Sequence, residues 1–139
     1  MTYIKLKKYS EAEKCFMKAI EIDSNQSKYS EQLGNLLFEQ SRFNEAEKYY
    51  YDAIELDSDN SELNYKLALT LVKLKSYSES IKFFKKAIKI NPLESKYHVD
   101  LGDLYFLKQN FHKAKLSYNK AIHLKPGDDE INKKLRKAL

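Results

Sequence analysis

Hydrophobic and polar positions along this chain repeat with a period of 34 residues. Leu33, Leu67, Leu101 and Leu135 stand one period apart, as do the aromatic positions Tyr9, Phe43, Tyr77 and Phe111. A second aromatic set, Phe16, Tyr50, Phe84 and Tyr118, keeps the same step. So do two sets of small residues, Ala12, Ala46, Ser80 and Ala114, then Ala19, Ala53, Ala87 and Ala121. Inside a unit the spacing is helical. Tyr77, Ile81, Phe84 and Ile88 fall on one face of a helix, and Leu63, Leu67, Leu71 and Leu74 do the same in the segment before it. No strict alternation of the strand type occurs. Each unit therefore predicts two amphipathic helices, A then B, joined by a short turn, and the chain is predicted to be all-α. A fixed period of this length marks a stacked array in which each unit buries its apolar face against its neighbours.

The small residues mark close helix contacts. Gly34, Ala68 and Gly102 on the A helices, and the alanines of the B helices, are expected to let neighbours approach while the aromatics fill the space between. Turn residues agree. Pro92 and Pro126 follow the expected ends of B helices, with Ser24 and Ser58 at the equivalent earlier sites. Ser10 with Glu13 and Asn44 with Glu47 are expected as capping boxes that open B helices. Ser61, Ser95 and Asp128 or Asp129 are expected to cap A helices.

The pattern resembles the tetratricopeptide repeat, whose motif runs W-x2-L-G-x2-Y, A-x3-F, A, P. His98, Leu101, Gly102, Tyr105, Ala114, Tyr118, Ala121 and Pro126 match it with only the opening Trp replaced. The other units carry Leu33, Gly34, Leu37, Ala46, Tyr50, Ala53 and Leu67, Ala68, Leu71, Ser80, Phe84, Ala87, Pro92. Departures are the absence of Trp, Ser80 for Ala, and Lys7, Ser41, Lys75 and Gln109 where the family often places Gly in the A–B turn. The resemblance implies a right-handed α-solenoid of antiparallel helix pairs. Its register divides the chain into a partial repeat over 1–26, repeats over 27–60, 61–94 and 95–128, and a closing helix over 129–139. Met1 then falls in the second half of an A helix. The closing helix is apolar along Ile131, Leu135 and Leu139 and basic along Lys133, Lys134, Arg136 and Lys137, as a solvating cap should be. The first B helix has only Thr2–Leu6 as cover. We expect the chain to be a fragment of a longer protein, or its incompletely capped N-terminal end to be covered by self-association.

Composition narrows the function classes. The net charge of +5 with 32% charged residues reads as a diffuse excess on solvated helix faces, so nucleic acid is disfavoured as a partner. No stretch reaches the roughly 20 apolar residues of a membrane span. The lysine-bearing N-terminus lacks the apolar segment of a signal peptide. A single cysteine, Cys15, forms no intrachain disulfide, and together these point to a cytoplasmic location. His98, His112 and His123 show no metal-ligand spacing, and His98 stands where the family packs a large side chain. Cys15 has no neighbouring base, and Asp57 with Asp59 and Glu21 with Asp23 lie in solvated turns. No catalysis, metal or cofactor is expected.

The function then falls to the groove that A helices line in this family, where a peptide or partner helix binds. Register assigns Lys28, Asn35 and Phe38 to it from the first full repeat. Tyr65, Lys66, Leu69, Val72 and Lys73 come from the second, and Lys96, Val99, Asp103 and Phe106 from the third. One subfamily clamps the C-terminal carboxylate of chaperone tails. The corresponding residues here are Glu31, Asn35, Lys66, Lys96 and Asp100, and the two carboxylates would repel such a ligand. An apolar band of Tyr65, Leu69, Val72, Val99 and Phe106 instead predicts an amphipathic helix or extended apolar segment as the ligand, with packing between adjacent A helices an equal alternative for Phe38, Val72 and Phe106. The expected protein is a non-catalytic scaffold with a protein or peptide partner. The alternative is the recognition arm of a larger enzyme such as a glycosyltransferase.

Overall fold

Each repeating hydrophobic set folds as a helix. A computed structural model describes residues 2–139, and the expectation for Met1 lies outside them. Among the described residues eight helices follow in order: α1 (Tyr3–Ile22), α2 (Ser27–Glu39), α3 (Phe43–Leu56), α4 (Ser61–Lys73), α5 (Tyr77–Ile90), α6 (Ser95–Leu107), α7 (Phe111–Leu124) and α8 (Asp129–Ala138). Helices α2 and α3, α4 and α5, and α6 and α7 pack as hairpins, and each hairpin stacks on the next. The chain is an α-solenoid, with α8 closing one end against α7.

The core follows the register. Leu33, Leu67 and the alanines at 46, 53, 87, 114 and 121 are fully buried. Ser80 keeps the small-residue site because its buried hydroxyl donates to the Ala68 carbonyl at 2.7 Å. The glycines act through close approach. A Cβ on Gly34 would lie 2.8 Å from the ring of Tyr50, and one on Gly102 would lie 2.6 Å from the ring of Tyr118. Each ring that covers a glycine is also held by its own hydroxyl. Tyr50 donates to Asn35 Oδ1 and Tyr118 to Asp103 Oδ1, both at 2.7 Å and both one residue beyond the glycine. The middle repeat has Ala68 followed by Leu69 opposite Phe84, a ring with no hydroxyl to tether, so a methyl group is accommodated there.

The first unit differs from expectation. No turn occurs at Lys7, and Ser10 and Glu13 lie inside one helix running from Tyr3 to Ile22. The equivalent residues Ser41, Lys75 and Gln109 do turn, with φ of 60°, 61° and 62°. Those turns close with bonds from Arg42 N–H to Leu37 O, Ser76 N–H to Leu71 O and Asn110 N–H to Tyr105 O, at 2.8–2.9 Å. A left-handed non-glycine residue costs about 1–3 kcal/mol, and at these three sites the packing of a full helix hairpin offsets it. Before Lys7, Thr2–Leu6 is too short to return that packing, so the helix continues. Its residues do not fold back as a cover: Tyr3, Ile4 and Leu6 are 81%, 68% and 50% exposed.

Caps also shift. Asn44 and Glu47 form no capping box, since α3 opens after Arg42 with no side-chain cap. Arg42 is engaged instead, its guanidinium paired with Glu13 at 2.7 Å and with Glu45. Ser61 is the first helical residue and Asn60 is the cap, its Oδ1 accepting from Leu63 N–H at 3.1 Å. Ser95 caps nothing, the position before it being Glu94 with no side-chain bond. Asp128 does cap α8, accepting from Glu130 and Ile131 N–H, while Asp129 is already helical. Asparagine and aspartate win at these sites because a carbonyl or carboxylate oxygen reaches the free N–H groups of the first turn.

Candidate functional site

Along the successive A helices α2, α4, α6 and α8, the helices α4, α6 and α8 each send a lysine or tyrosine to a carboxylate on a neighbouring A helix. Lys66 Nζ meets Glu31 at 2.8 Å, Lys96 meets Glu62 at 3.0 Å, and Lys134 meets Asp103 at 2.7 Å. Tyr65 donates to Asp100 Oδ2, and Tyr97 donates to Glu62 Oε2 at 3.0 Å. Lys96 also lies over the Tyr65 ring at 5.0 Å. Burial raises the Tyr65 hydroxyl first, with the hydrogen bond to Asp100 second. Burial likewise raises Asp100, while its bond from Tyr65 pulls the other way. The lysines expected to face a ligand at 66 and 96 are thus partnered within the chain.

Two notches open along this face. One, about 260 Å³, lies between α2 and α4, where Asn35, Phe38, Tyr65, Lys66 and Leu69 come together with Glu39 and Glu62. The other, about 330 Å³, lies between α4 and α6 and gathers Leu69, Val72, Lys73 and Asp103 with Asp100 and Leu107. Leu69 borders both and remains half-buried. Lys28, Lys96, Val99 and Phe106 line neither notch. Phe106 packs edge-on against Phe111 at 5.1 Å, as Phe38 does against Phe43, so these rings brace the A–B turns. Val99 is half-buried against the core. Leu107, which register also places on this face of the third repeat, is 57% exposed at the edge of the second notch.

His98 has the packing role expected of it. It is buried, with Nε2 3.3 Å from the Pro92 carbonyl. Asn64, one repeat earlier, donates to the Asn60 carbonyl at 2.8 Å from the same site. Burial lowers the His98 pKa from its ordinary 6.5, the Pro92 carbonyl raises it, and Lys120 lowers it. Between the folded and unfolded values the unfolded chain binds more protons, so stability is complete above about 6.5 and falls as pH drops through that window. Melting temperatures taken on either side of it should show this loss in the parent and a smaller one in His98→Asn.

A third cavity, about 590 Å³, lies on the B-helix side between α5 and α7. None of the expected groove residues reaches it. Nor is the basic excess diffuse there: α7 carries Lys113, Lys115 and Lys120 and no carboxylate side chain. Among the described residues no helix is long and apolar enough to cross a membrane.

Comparison with known proteins supports the same architecture. The family model described as the tetratricopeptide repeat protein 21 C-terminal ARM domain matches residues 1–101. A tetratricopeptide repeat model matches residues 95–128. No curated protein sequence matches the chain. Among solved structures, a crystal structure of MamA is similar at 21% identity with a TM-score of 0.90, over 99% of this chain and 83% of that one. A second MamA crystal structure is similar at 22% identity with a TM-score of 0.90, over 96% and 73% of the two chains. The first tetratricopeptide repeat domain of Spaghetti (RPAP3), bound to the HSP90 peptide SRMEEVD, is similar at 26% identity with a TM-score of 0.77, over 84% of this chain and 92% of that one.

Proposed function

Because the chain belongs to the tetratricopeptide repeat family, we propose that it is a non-catalytic scaffold holding a segment of a partner protein along α2, α4 and α6. The observation that carries this reading is the pair of notches meeting at Leu69. Apolar side chains of an amphipathic helix or an extended segment would fill them, one on either side of Leu69, with Lys73 and the carboxylates at the rim. The bound peptide of the Spaghetti domain supports a peptide as the ligand class. It does not support a carboxylate tail here. Lys66 and Lys96 are already paired, and Glu31, Glu62 and Asp100 crowd the same face. A ligand anion would have to displace those carboxylates.

Affinity capture from the native extract tests the reading, comparing the parent with Leu69→Asp. Leu107→Asp serves as a second variant, since that side chain is already exposed and its replacement leaves the core intact. Partners lost from both variants, with affinity down at least about tenfold, are the expected outcome. Partners retained equally by all three proteins would remove this face from consideration.

A further inference from the structure

The 34-residue register allows two successive B-helix junctions to be compared site by site. Between α3 and α5, Tyr51 and Phe83 meet edge-on with ring centroids 5.7 Å apart, and the Tyr51 hydroxyl donates to Glu79 Oε1 at 2.9 Å. Between α5 and α7 the same three sites hold Lys85, Ser117 and Lys113. The aromatic pair and its carboxylate acceptor are replaced by two lysines and a small hydroxyl.

The consequence is an open cleft. Cavities of about 590 and 220 Å³ share Ile88, His98, Leu116 and Lys120 and run together along α5 and α7. Leu101 and Tyr105 of α6 form part of the floor. Lys85 and Lys113 stand on the two walls, with Lys120 further along, and none of the lining residues is a carboxylate. Lys113 lies over the Tyr105 ring at 5.6 Å. Like charges facing one another across an apolar floor are stabilised by an anionic partner. The floor itself asks for an apolar side chain, and the space is where a tyrosine and a phenylalanine sit one repeat earlier.

We propose that this cleft is a second docking site, taking a segment of a partner protein that inserts an aromatic side chain between α5 and α7 and places flanking aspartates or glutamates on Lys85, Lys113 and Lys120. The site is independent of the groove along α2, α4 and α6. A nucleic acid would offer phosphates to the lysines and a base to the floor, but the gap is the one that Tyr51 and Phe83 fill one repeat earlier, so an aromatic side chain of a protein segment is the better complement.

A displayed library of random short peptides, selected on three immobilised proteins, tests the proposal. The proteins are the parent, the groove variant Leu69→Asp, and a cleft variant Lys85→Tyr, Lys113→Glu, Ser117→Phe. The cleft variant copies residues that already pack together at the α3–α5 junction, and its fold is checked by circular dichroism. Selected peptides are expected to be retained by the parent and the groove variant, lost from the cleft variant, and rich in Asp or Glu around Phe, Tyr or Trp. A synthetic peptide of that kind should bind about tenfold more weakly to Lys85→Glu, Lys120→Glu, which alters only exposed side chains. The proposal is overturned if no peptide depends on the cleft, if cleft-dependent peptides are neutral or basic, or if a short single-stranded RNA displaces them from the parent. Failure of the groove reading leaves these outcomes unchanged, because the groove variant is scored separately.

Discussion

Tyr118→Ala is expected to lower stability by about 3–5 kcal/mol, the range for truncating a buried aromatic side chain. Tyr118 is 2% exposed and joins three elements. Its ring covers Gly102 on α6, and its hydroxyl donates to Asp103, which also pairs with Lys134 on α8. Alanine would leave a cavity at the junction of the last repeat with the closing helix. Tyr118→Phe keeps the ring and loses one hydrogen bond, with an expected cost of about 1 kcal/mol. Denaturant unfolding followed by circular dichroism measures both. A loss for Tyr118→Ala no larger than that for Tyr118→Phe would contradict the packing role assigned to the ring.

Gly102→Ala should also destabilise, although alanine is the better helix former by about 1 kcal/mol. The added methyl would lie 2.6 Å from Tyr118 Cε1 and 2.8 Å from Cδ1, an overlap of the kind that costs about 1–3 kcal/mol. The bond to Asp103 is expected to keep the ring from moving aside. In a Tyr118→Phe background that tether is gone, and the penalty for Gly102→Ala should shrink toward the tolerance seen at Ala68 opposite Phe84. A double-mutant cycle reads this coupling. Equal penalties in the two backgrounds would show that the tether plays no part.

Much of the architecture was legible because it is written in side-chain size at a fixed period. The leucines, alanines and aromatics at 34-residue spacing identify helices, hairpins and contacts in every complete unit. The first unit was misread because the turn at Lys7 is not a local property. Ser41, Lys75 and Gln109 turn in response to packing that Thr2–Leu6 does not supply. Caps were misplaced by one residue where Asn60 competed with Ser61, since both residue types favour the same role. Of the expected groove residues, eight line the two notches and four do not. Register left Phe106 open between packing and the groove, since it does not tell a ring that braces a turn from one that faces a ligand, and it did not show that Val99 packs against the core. The α5–α7 cleft was missed for the opposite reason. Its signal is a departure from the repeat at Lys85, Lys113 and Ser117, visible only once the partners of Tyr51 are known.

The ion pairs Lys66–Glu31, Lys96–Glu62 and Lys134–Asp103 have a mechanical consequence. Each ties one unit to the next along a single edge of the array, at side chains 21–44% exposed. Pairs this wet contribute about 0–1 kcal/mol apiece and weaken with salt, whereas the leucine and alanine contacts behind them are dry. That edge is therefore the salt-sensitive side of each junction between units. Raising the ionic strength is expected to slacken the array along that one seam while leaving its helices in place.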